Sequence, residues 1–208
     1  MSQQSKPPQV TVEVDASGIP TDEAALSAPV VIVVQQSQPA PPPPQEMLDW
    51  LRSPARLSIG VIRGFCGSET LTSLLACDLV VMAEGAVISA SPTEPTQLPG
   101  SGLLELLVAR VGTSQAMLIT LGPEDLDAGR ALAIGLVDDV VAPADIDLRV
   151  AALARAALAR PEGWLGEAKS LLATASGPAM ERSGRERLRR LEHDAHDRLA
   201  RQGEGLQD

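Results

Sequence analysis

Apolar residues along this chain keep two rhythms. Short runs rich in Val, Ile and Leu recur at Val30–Gln35 (VVIVVQ), Leu57–Ile62 (LSIGVI), Leu79–Ala83 (LVVMA) and Leu136–Val141 (LVDDVV). Apolar residues on consecutive positions suit a strand covered on both faces, as in a parallel sheet. Val10–Val14 (VTVEV) instead alternates, which fits a half-buried strand. Between these runs the spacing is helical. Thr21, followed by Asp22 and Glu23, predicts a short capped helix. EMLDWLRS places Met47, Trp50 and Leu51 on one helical face. SETLTSLLAC predicts a helix with Ser68 as N-cap, Glu69 near its positive end, and Leu71, Leu74, Leu75 and Cys77 turned inward. A helix after Gly102 is expected to end near Gly112, and a second, capped by Thr113 or Ser114, to stop at Gly122. Asp127 to Arg130 opens another that stops at Gly135. AVISA after the Glu84–Gly85 turn reads as a short strand. Helices are predicted over Asp145–Ala159, Trp164–Ala175 and Ala179–Arg201. Strands alternating with helices define an α/β fold.

This pattern divides the chain into a flexible tail at 1–8, a core at 9–143 and a C-terminal helical segment at 144–208. Within the core, SQPAPPPPQ at 37–45 reads as a rigid surface connector, because consecutive prolines remove amide donors and favour an extended conformation. Composition adds three constraints. With one Phe, two Trp and no Tyr, the core must be aliphatic. A formal net charge of −10 disfavours nucleic acid as a partner, since phosphate recognition needs clustered Lys and Arg. Two cysteines make no disulfide framework and suggest a reducing compartment, so a cytoplasmic location is expected, with no membrane segment.

The run Ile59–Asp78, IGVIRGFCGSETLTSLLACD, combines a strand, a tight glycine turn and a helix ending at Cys77–Asp78. After it come LVVMA, LPGSG, RVG at Arg110–Gly112, a break at Gly122, and A-x-x-x-G-L-V at Ala131–Val137. In this order the motifs resemble the crotonase superfamily of enoyl-CoA hydratases and isomerases, over roughly residues 30–143. The resemblance implies a crotonase-like β-β-α spiral with the C-terminal helical segment outside it. It also implies an acyl-CoA thioester as ligand, with no separate cofactor or metal, and a homo-oligomer, trimeric or hexameric.

The chemistry departs from that family. Its pattern G-x-A-x-G-G-G-x-E-L-A-x-x-C-D fits Gly64 to Asp78 without a gap, which puts Thr72 at the first catalytic carboxylate. Aligned from Pro99–Gly100–Ser101–Gly102, the next motif puts Pro92 at the second. The family's A-G-x-D segment, which supplies one oxyanion-hole amide and contacts coenzyme A, is missing between Val30–Gln35 and Leu57–Ile62. What the resemblance leaves is the turn Cys66, Gly67, Ser68 and Glu69 as a thioester-binding element. The family's second oxyanion amide falls at Glu69. The replacement acid–base candidates are Glu69 and Glu94. Hydratase activity is therefore expected to be weak or absent. The alternative is a non-catalytic accessory or assembly subunit. The crotonase-like subunit of dihydroxyphenylglycine biosynthesis, which assists a polyketide-synthase-type enzyme, is similar in its short CGS turn and LLACD. Asp78 reads as structural. Cys66 beside a helix start could be a nucleophile, but the two histidines, His193 and His196, lie far along the chain and favour a buried small residue. Those histidines read as surface residues.

Overall fold

A computed structural model describes the backbone of residues 11–15 and residues 26–34, 42–90, 102–122 and 125–175. Five parallel strands form the main sheet: β1 (Thr11–Asp15), β2 (Val30–Val34), β3 (Leu57–Ile62), β5 (Leu79–Ala83) and β8 (Asp139–Val141), in the order β1-β2-β3-β5-β8. Ile59 pairs with Leu79 and Ile62 with Met82, so the strands flanking the glycine turn are neighbours, as the apolar runs require. All six residues of β3 are buried. A smaller three-stranded sheet joins β4 (Phe65–Cys66), β6 (Val87–Ile88) and β7 (Leu126–Asp127).

Among the described residues the helices with full bounds are α1 (Gln45–Leu51), α2 (Ser68–Leu75), α3 (Leu103–Leu121), α4 (Ala128–Ala133), α5 (Ile146–Leu158) and α6 (Trp164–Ala175). The spiral emerges from their order. β3 and β4 precede α2, and β5 and β6 precede α3, so each turn gives one strand to each sheet before its helix. Helices α2 and α5 both pack on β2, β3 and β5. The closest approach is at Gly60, where an added Cβ would lie 3.0 Å from Leu74 O. Glycine in the middle of β3 lets α2 sit directly on the sheet.

The structure revises several expectations. The final strand covers Asp139–Val141 only; Leu136 and Val137 are buried just before it. The two helices expected either side of Gly112 are both present within α3, separated there, as expected, by backbone at φ 75° and ψ 165°. That backbone region is open essentially to glycine alone. In α1 the buried residues are Met47, Leu48 and Leu51, with Trp50 only half-buried. Asp127 caps α4 as expected, accepting from the Arg130 N–H at 2.7 Å. The tail at 1–8, the Thr21 cap, most of the proline connector, the helix at Ala179–Arg201 and both histidines lie outside the described residues.

Candidate functional site

The chain leaves the C-terminal end of β3, turns at Gly64 and enters α2. Two backbone bonds to the neighbouring strand fix the turn: Val87 N–H donates to Gly64 O (3.1 Å), and Ser89 N–H to Cys66 O (2.8 Å). Gly67, not Ser68, occupies the N-cap position, with φ −80° and ψ 171°. Ser68 is the first helical residue, and its hydroxyl donates to Glu69 Oε2 at 3.0 Å instead of capping the helix. The reason is positional. An N-cap side chain accepts from amides two or three residues on, whereas from the first turn the Ser68 hydroxyl finds its acceptor in the carboxylate beside it.

Leu71 N–H is the first to bond within the helix, to Gly67 O at 2.9 Å. The amides of Ser68, Glu69 and Thr70 precede it and have no intrahelical acceptor. Together with the helix dipole they present positive potential to a partner oxygen. Glu69 is half-buried and curls back over this end. Its Oε2 lies 3.9 Å from where a Gly67 Cβ would stand, and the Phe65 ring edge lies 3.8 Å from the same point. Phe65 is 64% exposed. The surface of the turn therefore consists of Phe65, Gly67 and the Glu69 carboxylate.

Behind that surface the polar side chains are occupied. Thr72 is 1% exposed, and its hydroxyl donates to Ser68 O at 3.0 Å. Cys66 is fully buried; its thiol hydrogen points toward Gly67 O at 3.8 Å, and burial pushes it up to about 12. A thiol so raised has almost no thiolate at neutral pH and cannot serve as a nucleophile. The described part of the expected site, Cys66 to Glu69, is contiguous. Glu94 and Pro92 lie outside the described residues. Among the described residues no three His, Cys, Asp or Glu side chains cluster as a metal site would require.

Asp78 is held as a structural group. It accepts from Ser58 N–H (2.8 Å) and pairs with Lys169 (2.7 Å), while its own N–H donates to Ser58 Oγ (3.0 Å). Lys169 also donates to Ser53 O (2.9 Å) and Arg56 O (3.1 Å), which ties α6 to the start of β3. A parallel arrangement fixes α3: Arg110 donates to Asp138 and to Cys77 O, each at 2.7 Å. Asp138 in turn accepts from Val80 N–H at 2.7 Å. Neither anchor was visible in sequence, because each joins residues far apart in the chain. A cavity of about 580 Å³ lies at the other end of the sheet, between Pro29, Pro54, Ala55, Leu158, Arg160 and Leu165. Since β2 and β3 are parallel, it opens at the ends where they begin, whereas the turn follows the end where β3 finishes.

A parallel sheet feeding a glycine turn into a helix, with a second short-stranded sheet beside it, defines an α/β protein of the crotonase fold. The enoyl-CoA hydratase/isomerase family model matches residues 36–208, and the chain belongs to that family. A probable enoyl-CoA hydratase, EchA17, of Mycolicibacterium paratuberculosis is 30% identical over 149 residues, covering 71% of this chain and 58% of the relative. Ethylmalonyl-CoA decarboxylase of Rattus norvegicus is 35% identical over 91 residues, 43% of this chain and 30% of the relative. The chain thus spans about half the length of such relatives, or less. A Thermobifida fusca protein of the enoyl-CoA hydratase class, solved in complex with CoA, superposes with a TM-score of 0.70 at 23% identity, over 88% of this chain and 79% of its own. Enoyl-CoA hydratase of Mycobacterium smegmatis gives 0.66 at 20% identity, over 83% and 73%.

Proposed function

We propose that this protein binds an acyl-CoA thioester at the Cys66–Glu69 turn and has little or no hydratase activity. Family membership and the CoA-bound Thermobifida fusca neighbour support the ligand class. The observation that carries the second half is Thr72. At the position aligned with the first catalytic carboxylate stands a buried hydroxyl engaged with Ser68 O. It cannot take or give a proton at neutral pH. Positioned acid–base groups contribute about 10²–10⁴-fold to such reactions, so their loss leaves binding without efficient turnover. Glu69 and Glu94 are the carboxylates proposed to take up any acid–base work that remains. The thioester oxygen is proposed to face the amides at the start of α2. There the Glu69 carboxylate opposes developing negative charge.

We further propose a cytoplasmic homo-oligomer. Its association would use Met117, Leu118 and Leu121, which are 54%, 61% and 74% exposed on the second half of α3. The accessory-subunit reading keeps the fold and discards the ligand.

Calorimetric titration with acetoacetyl-CoA and with the acyl-pantetheine fragment separates the two readings. The expected result is weak binding, with the fragment nearly as tight as the full thioester because the coenzyme-binding segment is missing. Glu69→Gly should bind an oxyanion-mimicking thioester analogue more tightly than wild type. No binding by either protein removes the thioester reading and leaves the accessory subunit. Crotonyl-CoA hydration at the rate of ordinary hydratases would show that another residue performs the missing chemistry. Glu69→Gln and Glu94→Gln would then identify it.

A further inference from the structure

Arg56 leads into β3 with its side chain folded inward, only 8% of the residue being exposed. The guanidinium carbon lies 4.4 Å from the centre of the Trp50 ring. Nη2 donates to Leu26 O at 2.9 Å. Among the described residues nothing accepts from Arg56 Nε or Nη1, nor from the indole Nε1 of Trp50, and all three atoms are buried. Buried polar groups are paired almost without exception, and an unpaired buried cation is the costliest orphan of all. The neighbouring charges do not relieve it. Lys169 donates to the backbone O of Arg56 at 3.1 Å, and its carboxylate partner Asp78 accepts from Lys169 and Ser58.

The chemistry of the three orphans selects their partner. Guanidinium and indole nitrogens only donate. A water molecule placed among them would bring hydrogens that need acceptors, whereas an oxyanion brings only acceptors. Guanidinium groups match the paired oxygens of a carboxylate or phosphate. Pro54 and Ala55, directly before Arg56, line the 580 Å³ cavity. We propose that Trp50 and Arg56 form a binding site for a small oxyanion, a carboxylate or phosphate group, separate from the thioester turn at the other end of the sheet.

The test follows the Arg56 Nε–H and Trp50 indole N–H resonances in the full chain, first in chloride buffer and then on titration with acetate or phosphate at constant ionic strength. Both resonances should shift together and saturably, with a rise in the thermal midpoint over the same concentration range. A response to acetate alone assigns a carboxylate, to phosphate alone a phosphate, and to both a general oxyanion site. Trp50→Phe keeps a ring beneath the guanidinium but removes one donor, and should weaken binding roughly fivefold; Arg56→Lys should weaken it roughly tenfold or more. If Arg56→Lys does not fold, the wild-type and Trp50→Phe titrations decide. Unmoved resonances, an equal response in a variant, or resonances already shifted before any ion is added would each overturn the proposal.

Discussion

Cys66 and Glu69 are three residues apart and face opposite worlds. The Cys66 thiol is sealed in the core beneath the turn, whereas the Glu69 carboxylate lies across its surface. Burial moves the thiol from 9.0 to about 12. A group whose folded value is raised stabilises the fold fully below its unfolded value and loses that contribution as pH climbs to the folded one. Urea midpoints should therefore fall between about pH 9 and 12. Cys66→Ala should flatten the part of that decline due to Cys66, while Cys77, also raised by burial, keeps the remainder. Alkylation of native protein at pH 8 should be slow, and rapid after unfolding; fast native labelling would mean that the turn opens. At this scale the sequence was legible in part. A small buried residue was readable at Cys66 from the lack of a nearby histidine. The cap was misread, because serine suits both the N-cap and the first turn, and only the Ser68–Glu69 contact tells them apart.

Among the elements, α2 and α6 depend on single residues for their seating. Gly60→Ala would push a methyl against Leu74 O, which is backbone and cannot swing aside. The substitution should cost about 1–3 kcal/mol, the usual range for overpacking a core, measured by urea unfolding. A neutral effect would mean that α2 can lift off β3. Helix α6 has no buried residue, so its attachment rests heavily on Lys169. With 17% and 22% of the two side chains exposed, Lys169–Asp78 is a largely buried pair. Lys169→Met strands Asp78, and the loss should be about 3 kcal/mol, the lower end for a broken buried pair. Hydrogen exchange should show α6 loosening before β3 and β5. The strands of the main sheet were legible because consecutive apolar residues leave few other choices. Strand β6 was legible as the short apolar run AVISA, whereas β4 and β7 are too short to show a period. They exist because the second sheet assembles them.

Over the whole molecule, one helix among the described residues, α3, has the length and hydropathy to cross a membrane. It is broken at Gly112 into halves with different surroundings. Leu103, Leu106 and Leu107 enter the core, while Met117, Leu118 and Leu121 stay exposed beyond the Gly112 break. Leu118→Glu combined with Leu121→Glu should shift sedimentation toward the monomer with little change in circular dichroism. An unchanged mass would place any self-association elsewhere. The family was legible from motif order. Around the candidate site the strand, turn and helix were legible, but the anchors were not, because they join positions such as Asp78 and Lys169, 91 apart.

The uniformly parallel sheet also governs how the chain can fold. Neighbouring parallel strands cannot be joined by a tight hairpin, so every pairing in the main sheet closes a long loop. The last is the longest: Val80 meets Asp138 across 58 positions. Early contacts are therefore few, and loop closure must be completed before the sheet rewards it. On a ribosome, β1, β2, β3 and β5 emerge in turn, with the edge of β5 bare until Asp139–Val141 follows. During that interval the apolar edge is open to pairing with another nascent chain. Synthesis rate and chaperone supply, more than final stability, should then set the yield of soluble protein.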